Sequence, residues 1–126
     1  MAIPRPGEKV RGSLSGSPIN ALFDLLGRRW ALGILWQLDT PSTFRGLQAL
    51  CGGVSPSILN ARLKDLREAD IVERSSVGYA LTARGRELRA LIVPLGAWSA
   101  DWSADLFGVE RPGMRDRVAA EGATDL

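Results

Sequence analysis

The chain has no histidine, a single cysteine and no long apolar run among its 126 residues. Without histidine, the catalytic triads, dyads and zinc sites that depend on an imidazole are excluded. A lone Cys51 cannot form an internal disulfide or a cysteine cluster for zinc, which suits a reducing compartment. No run approaches the roughly 20 apolar residues of a membrane helix, and the first residues lack the apolar core of a signal peptide. We therefore expect a cytoplasmic protein with no membrane partner.

Nucleotide-binding loops and paired carboxylates are missing as well. Gly52-Gly53 lacks both the spacing and the following lysine of a phosphate-binding loop, and the carboxylates are scattered along the chain. We therefore predict no enzyme and no cofactor. With 45% hydrophobic and 24% charged residues, the composition is that of a globular protein of one domain.

The net charge of +2 is unevenly distributed along the chain. Residues 28–89 carry ten basic and six acidic side chains, whereas residues 90–126 carry three basic and six acidic ones. The positive excess in the middle has the right sign for a surface that faces phosphates. A solvated protein face would tolerate the same excess.

Composition and periodicity divide the chain into an arm, a domain and a tail. Residues 1–16 are rich in Pro, Gly, Ser and basic groups, which predicts a flexible arm, and residues 108–126 predict a disordered tail. Between them, residues 17–107 begin with three short predicted helices. The first is capped by Ser17-Pro18, the second runs from about Arg28 to Leu38, and the third follows Ser42 or Thr43. Their expected inward-facing residues are Ile19, Leu22, Phe23 and Leu26, then Trp30, Ile34, Leu35 and Leu38, then Phe44, Leu47, Leu50 and Cys51.

The stretch from Val54 to Ile71 predicts a fourth helix with one apolar and one polar face. Ser55 is a good N-cap, and Pro56 suits the first helical position. Its apolar seam is Leu59, Leu63 and Leu66, and the opposite face holds Ser57, Asn60, Ala61, Lys64 and Glu68. An asparagine can pair bidentately with adenine, and small neighbours let the backbone approach a base edge. Most amphipathic helices, however, only display such a face to solvent.

The elements around this helix favour a DNA-binding fold. The third helix, Gly52-Gly53 and the helix from Pro56 form a helix-turn-helix. Two β-like runs, at 71–74 and 79–82, then predict a hairpin. A last long helix, capped by Thr82, extends to about Phe107 with a kink at Pro94. We therefore predict an α+β, mainly helical fold: a winged helix-turn-helix with a short two-stranded wing and a long C-terminal helix.

From Ser17 to Trp98 the chain resembles the HxlR-type winged-helix transcriptional regulators, a branch related to the MarR-like repressors. The landmarks are Leu25-Leu-Gly-Arg-Arg-Trp30, Phe44-x-x-Leu47, Val54-Ser-Pro-Ser-Ile-Leu-x-x-Arg-Leu-x-x-Leu66, Ile71-Val-Glu-Arg74, Tyr79-x-Leu-Thr-x-x-Gly85 and Trp98. The resemblance implies a DNA-binding homodimer whose helix from Pro56 enters the major groove. It also implies a dimer interface on the first and last helices, and we assign to it Leu22, Leu91, Leu95, Trp98 and Trp102.

Two departures from the family pattern affect this interpretation. Many members place a redox-sensing cysteine immediately before the proline of the first helix, where this chain has Ser17, so thiol sensing at that position is excluded. We expect Cys51 to be buried as a small hydrophobe. The second departure is the wing, whose loop Ser75-Ser-Val-Gly78 is shorter than usual. Contacts of this loop with DNA are therefore doubtful.

The predicted function is that of a sequence-specific transcriptional regulator, a dimeric repressor bound to double-stranded DNA. The expected DNA-binding residues are Ser57, Asn60 and Ala61 near bases, Ser55 at the start of the helix, and Arg45, Lys64 and Arg67 near phosphates. Each of these three cations could equally be a solvated surface charge. The alternative is a winged helix that serves as a protein-interaction module without sequence-specific DNA binding. Trp98 and Trp102 could also line a pocket for a small-molecule effector, although a core or dimer interface is the commoner role of such a stripe.

The sequence allows more than one role for each of three further arginines. Arg62 lies at the edge of the leucine seam, where an internal salt bridge is at least as expected as a DNA contact. Arg28 and Arg29 precede a helix start, where a cation gains nothing from the helix dipole. A phosphate partner is one explanation for them, and tolerated exposure is the other.

Overall fold

A computed structural model describes residues 3–8 and 16–108 of the chain. The helices are α1 (Pro18–Leu26), α2 (Ala31–Gln37), α3 (Phe44–Leu50), α4 (Pro56–Glu68), α5 (Ala83–Ile92) and α6 (Pro94–Phe107), and the strands are β1 (Val72–Arg74) and β2 (Tyr79–Leu81). The predicted α+β, mainly helical winged helix is confirmed. The chain divides into two compact units, residues 1–85 and residues 86–126.

The core of the first unit is made by the apolar faces of four short helices and the hairpin. Its fully buried large side chains are Ile34, Leu35, Leu38, Leu47, Leu59, Leu63 and Leu66. All seven belong to the inward-facing sets that periodicity indicates. Burial of such side chains is the main favourable term in folding, at about 25 cal/mol per Å² of apolar surface.

The prediction for the buried face of α1 was wrong in part. Ala21 and Leu25 are the buried residues of this helix, whereas Ile19 and Phe23 are 50% and 62% exposed. At about 100° per residue, Ile19 lies on the opposite side of the helix from Ala21. Because apolar residues surround α1, periodicity alone could not decide which side packs inward.

The second helix begins three residues later than predicted. Trp30 has a φ of 75° and is the N-cap of α2, so Arg28 and Arg29 lie in the connection and not in the helix. The guanidinium carbon of Arg29 lies 5.4 Å from the centroid of the Trp30 ring. At the end of α3, Leu50 is exposed, contrary to its predicted inward position.

The wing is a two-stranded antiparallel hairpin with a third short partner. Val72 pairs with Leu81, and Arg74 pairs with Tyr79. Tyr79 also exchanges two backbone hydrogen bonds with Ser42, 2.8 and 2.9 Å long, and these tie the hairpin to the connection between α2 and α3. This bridge is not predictable from the sequence, because a single paired residue leaves no periodic pattern.

Thr82 caps α5, as predicted. Its hydroxyl accepts a hydrogen bond from the Gly85 N–H at 2.9 Å and donates to the Asp70 carbonyl at 2.6 Å. Gly85 lies so close to the Ile71 carbonyl oxygen that any Cβ at position 85 would overlap it. The backbone packing therefore explains the glycine in the Tyr79-x-Leu-Thr-x-x-Gly85 landmark.

In the second unit, α5 ends at Ile92 and α6 begins at Pro94. The predicted long C-terminal helix is therefore two helices, which meet at the predicted proline. Val93 between them keeps helical dihedral angles and donates its N–H to the Arg89 carbonyl, whereas Pro94 has no N–H to donate. Within the described residues, none of the helices is long and apolar enough to cross a membrane.

The predicted arm and tail fall mostly outside the described residues. Of the arm, residues 3–8 and 16 are described, and the Gly7 N–H donates to the Gly16 carbonyl at 2.6 Å. Of the tail, only Gly108 is described. The flexibility of both segments stays a prediction.

Candidate nucleic-acid interface

The helix-turn-helix is formed by α3, the turn at residues 51–55 and α4. Thr43 caps α3 by accepting the Gly46 N–H at 3.0 Å. Gly52 and Gly53 have φ values of 71° and 78°, a left-handed conformation that glycine adopts without the steric cost of a Cβ. The Gln48 side-chain amide donates to the Val54 carbonyl at 2.9 Å, which fixes the chain between the two helices.

The start of α4 has the predicted cap. The Ser55 hydroxyl accepts the Ile58 N–H at 3.3 Å, and Pro56 occupies the first turn. A capping serine contributes about 1 kcal/mol to helix stability. The N-terminal turn of α4, where a recognition helix approaches base edges, is therefore defined by local chemistry.

The two faces of α4 are separated as predicted. Leu59, Leu63 and Leu66 are buried and anchor the helix in the first unit. The opposite face is exposed and contains the candidates Ser57, Asn60, Ala61 and Lys64, and Arg67 is exposed on the flank of the helix. Ser55 before α4 and Arg45 on α3 are exposed too.

An ion cluster holds α4 to the connection between α1 and α2. One carboxylate oxygen of Asp65, Oδ2, lies 2.6 Å from Arg62 Nη1 and 3.1 Å from Arg28 Nη1. The side chains of Arg28 and Asp65 are only 12% and 10% exposed. Of the alternatives left open by the sequence, the internal salt bridge of Arg62 is therefore the observed one.

For Arg28 the sequence predicted either a phosphate partner or tolerated exposure, and neither describes the observed pair with Asp65. A tertiary contact between residues 37 positions apart leaves no signal in hydrophobic periodicity. The burial of Asp65 is equally unpredictable from the sequence, because an acidic residue in an amphipathic helix normally lies on the solvated face. Since its charge is paired internally, Asp65 adds little negative charge to the exposed face of α4.

The tip of the wing is a small, closed turn. The Ser75 hydroxyl accepts the N–H groups of Val77 and Gly78 at 3.2 and 3.1 Å. Val77 is exposed at the tip, and the nearest cation in sequence, Arg74, lies with its guanidinium 5.4 Å from the Tyr79 ring centroid. Residues 75–78 themselves contain no basic side chain.

Cys51 is buried at the C-terminal end of α3, as predicted. Burial raises the pKa of its thiol above the usual value, because an apolar environment disfavours the thiolate. The thiolate is the nucleophilic form, so this position lacks the features of a reactive cysteine.

The residues predicted for a dimer interface lie on α1, α5 and α6. Leu22 on α1 is half-buried, whereas Leu91, Leu95, Trp98 and Trp102 are exposed in the single chain. The rings of Trp98 and Trp102 are stacked with centroids 5.9 Å apart, and Phe107 meets Trp102 edge-on. Their assignment to a dimer interface stays a prediction.

A capped recognition helix supported by a second helix and followed by a hairpin defines a winged-helix DNA-binding protein. Residues 25–106 match the model of the HxlR-like helix-turn-helix family. The chain belongs to this family, and it is a DNA-binding transcriptional regulator. The membership favours DNA binding over the alternative of a protein-interaction module.

Two relatives and their structures support this assignment. The HTH-type transcriptional regulator YodB of Bacillus subtilis is 34% identical over an alignment of 89 residues, which covers 64% of this chain and 80% of YodB. The crystal structure of quinone-bound YodB superposes with a TM-score of 0.59 at 36% identity, covering 64% of this chain and 93% of that one. A possible HxlR family transcriptional factor from Thermoplasma volcanium has a TM-score of 0.62 at 29% identity, covering 69% and 85%.

Proposed function

We propose that this regulator is a homodimeric repressor that reads a pseudo-palindromic site with two copies of α4. The observation that carries the proposal is the division of α4: buried leucines fix the helix, and the outward face presents the polar side chains of Ser57 and Asn60 beside the small Ala61. In a dimer, two such helices would enter major grooves about one helical turn (~34 Å) apart. Occlusion of a promoter by the dimer is the proposed mode of repression.

The proposed contacts differ in what they supply. Asn60 would pair with a base edge, whereas Lys64, Arg67 and Arg45 would lie against phosphates and supply sequence-independent affinity. Ser55 would lie close to the backbone of the DNA beside the capped end of α4. Because residues 75–78 carry no cation, we assign most of the specificity to α4 and little to the wing.

Asn60→Ala and Lys64→Ala separate these two kinds of contact on the same helix. We expect Asn60→Ala to lose about 1–3 kcal/mol of binding on the preferred site and almost nothing on random DNA. Lys64→Ala is the matched control, and it should weaken both DNAs alike and reduce the salt slope by about 1. Gel-shift titration over several salt concentrations, on a site found by protection mapping of the adjacent intergenic DNA, measures both effects.

Two results would contradict the proposal. Equal losses on specific and random DNA for Asn60→Ala would remove this residue from base reading. Absence of any binding by the folded wild-type protein at low salt would return the interaction module to first place.

The dimer is proposed from the exposed apolar side chains of α1, α5 and α6. A monomer rarely exposes many large apolar residues in one contiguous patch. On α6 and the end of α5, Leu91, Leu95, Trp98 and Trp102 recur on one side at helical spacing and are all exposed. Leu22 would contribute from α1, together with the exposed Ile19 and Phe23.

A small-molecule effector is a second proposal, supported by a groove on α6. The groove, about 370 Å³ in volume, is lined by Trp98, Asp101, Trp102, Asp105 and Leu106. Since YodB has a quinone-bound crystal structure, a small quinone is the first probe. A saturable change in tryptophan fluorescence with release from DNA, in a Cys51→Ser background that excludes thiol adducts, would support it.

We propose that residues 17–107 act as one DNA-binding and dimerisation domain in the cytoplasm. The protein would act by occupying DNA and would catalyse no reaction.

A further inference from the structure

The Arg28–Asp65–Arg62 cluster joins two parts of the first unit that differ in role. Arg62 and Asp65 belong to α4, whereas Arg28 belongs to the four-residue connection between α1 and α2. The Arg62 and Asp65 side chains are three residues apart and would stay paired on an isolated α4. The Arg28 contact is therefore the one in this cluster that relates α4 to another part of the fold.

The cluster restricts the position of α4 because its three side chains are largely removed from water. Both arginines contact the same carboxylate oxygen, at 2.6 and 3.1 Å, and all three side chains are at most 22% exposed. Within residues 3–8 and 16–108, Arg62 Nε is buried and has no hydrogen-bond partner, so the cluster is incompletely compensated. Breaking such a pair costs more than breaking an exposed one, because an uncompensated charge stays behind.

The backbone beside Arg28 is also unusual. Trp30, two residues later, has a φ of 75°, which a non-glycine residue rarely adopts. The preceding residue, Arg29, is exposed and lies over the Trp30 ring. The two adjacent arginines thus have different environments, since Arg28 contacts Asp65 of α4 and Arg29 lies over the half-buried ring of Trp30.

We infer that Arg28 is a positioning residue for DNA reading, which sets the placement of α4 through Asp65 without touching DNA itself. The inference rests on the proposed function of α4. The leucine seam holds α4 against the core, but apolar contacts are not directional. The charge-assisted contact at Asp65 is directional, and Asp65 is buried on the same turn of α4 as Lys64 and Arg67, the exposed residues proposed to contact phosphates. A small shift of α4 would misplace Asn60 while leaving nearby cations close to phosphates.

Arg28→Met tests the inference, with Arg29→Met as the matched control. Both variants remove one positive charge from the same connection, and Arg28→Met leaves the Arg62–Asp65 pair in place to favour folding. We expect Arg28→Met to lose about tenfold in affinity for the preferred site, an effect of the size of a typical coupling energy. On random DNA, both variants should bind alike, with the same salt slope.

A double-mutant cycle separates positioning from a direct phosphate contact. If Arg28 acts through the placement of Asn60, its effect on the preferred site should largely disappear in an Asn60→Ala background. A phosphate contact would instead give additive losses. Arg28→Lys, which can still reach Asp65 with a positive charge, should recover most of the affinity.

Three outcomes would overturn the inference. Arg28→Met and Arg29→Met could behave alike on both DNAs, or the cycle with Asn60→Ala could be additive. Alternatively, Arg28→Met could lower only the melting temperature and bind the preferred site normally where it is fully folded by circular dichroism. Failure of the proposed function is distinguishable, because the wild-type protein would then show no preferred site.

Discussion

The helices α4 and α6 are similar in length and opposite in what they bury. In α4 the large apolar residues Leu59, Leu63 and Leu66 are buried, and the outward face is polar. In α6 the buried residues are small, Gly96 and Ala100, whereas Leu95, Trp98, Trp102 and Leu106 are exposed. Within a single chain, the large apolar side chains of α4 are therefore buried, whereas those of α6 are exposed to solvent. This difference supports the proposal that α4 is a recognition helix fixed within one protomer and that α6 is part of a dimer interface.

The same substitution on the two helices tests this difference most strongly. Leu63 is 2% exposed and Leu95 is 59% exposed. Leu63→Ala removes buried methyl groups and leaves a cavity, so we expect it to lower the free energy of unfolding by about 2–5 kcal/mol at every protein concentration. Leu95→Ala should lower the free energy of unfolding of the monomer by no more than about 0.5 kcal/mol. A larger loss should appear only where the dimer is populated.

Urea denaturation at two protein concentrations, one below and one above the dimer dissociation constant, measures both effects. A loss for Leu95→Ala as large as that for Leu63→Ala at the lower concentration would contradict the comparison. In that case the exposed stripe of α6 would stabilise the monomer itself.

The start and the buried face of α4 were predictable from the sequence because the residues that determine them are close together in the chain. Ser55, Pro56 and the leucine seam act within one helix, so their effects are visible in the order of residues. The hairpin was predictable for the same reason, since its turn residues are adjacent in sequence. The candidate base-reading residues followed from the leucine seam, because they occupy the side of the helix that the seam leaves exposed.

The features that were predicted wrongly or not at all are those that depend on contacts between distant parts of the chain. The apolar periodicity of α1 did not show that Ala21 would face inward and Phe23 outward. The left-handed Trp30 shortened α2, although nothing in the residue type favours that conformation. The Arg28–Asp65 pair was missed because the identity of a buried ion pair depends on where two distant segments meet.

Trp98→Ala tests the second half of the comparison, the interface proposed for α6. Trp98 is 62% exposed, and buried tryptophans at interfaces commonly contribute 2 kcal/mol or more to binding, or about 30-fold in the dissociation constant. We expect sedimentation velocity to show a wild-type dimer and a substantially weaker dimer for Trp98→Ala. Leu32→Ala, an exposed apolar position on α2, is the control and should leave the dimer unchanged. Equal dimerisation of both variants would remove Trp98 from the interface.

Val77 in the wing sharpens the comparison further, because it is an exposed apolar residue without apolar neighbours in the turn at residues 75–78. Val77 is 55% exposed, similar to Leu95, yet it stands between Ser76 and Gly78 at the tip of a closed turn. Single exposed apolar residues are ordinary on protein surfaces, whereas a helical stripe of them indicates an interface. We therefore expect Val77→Ser to change DNA affinity by less than about 0.5 kcal/mol and to leave dimerisation unaffected. Gel shift and sedimentation check both points. A specific loss of DNA binding would place the wing tip on the DNA and take part of the specificity away from α4.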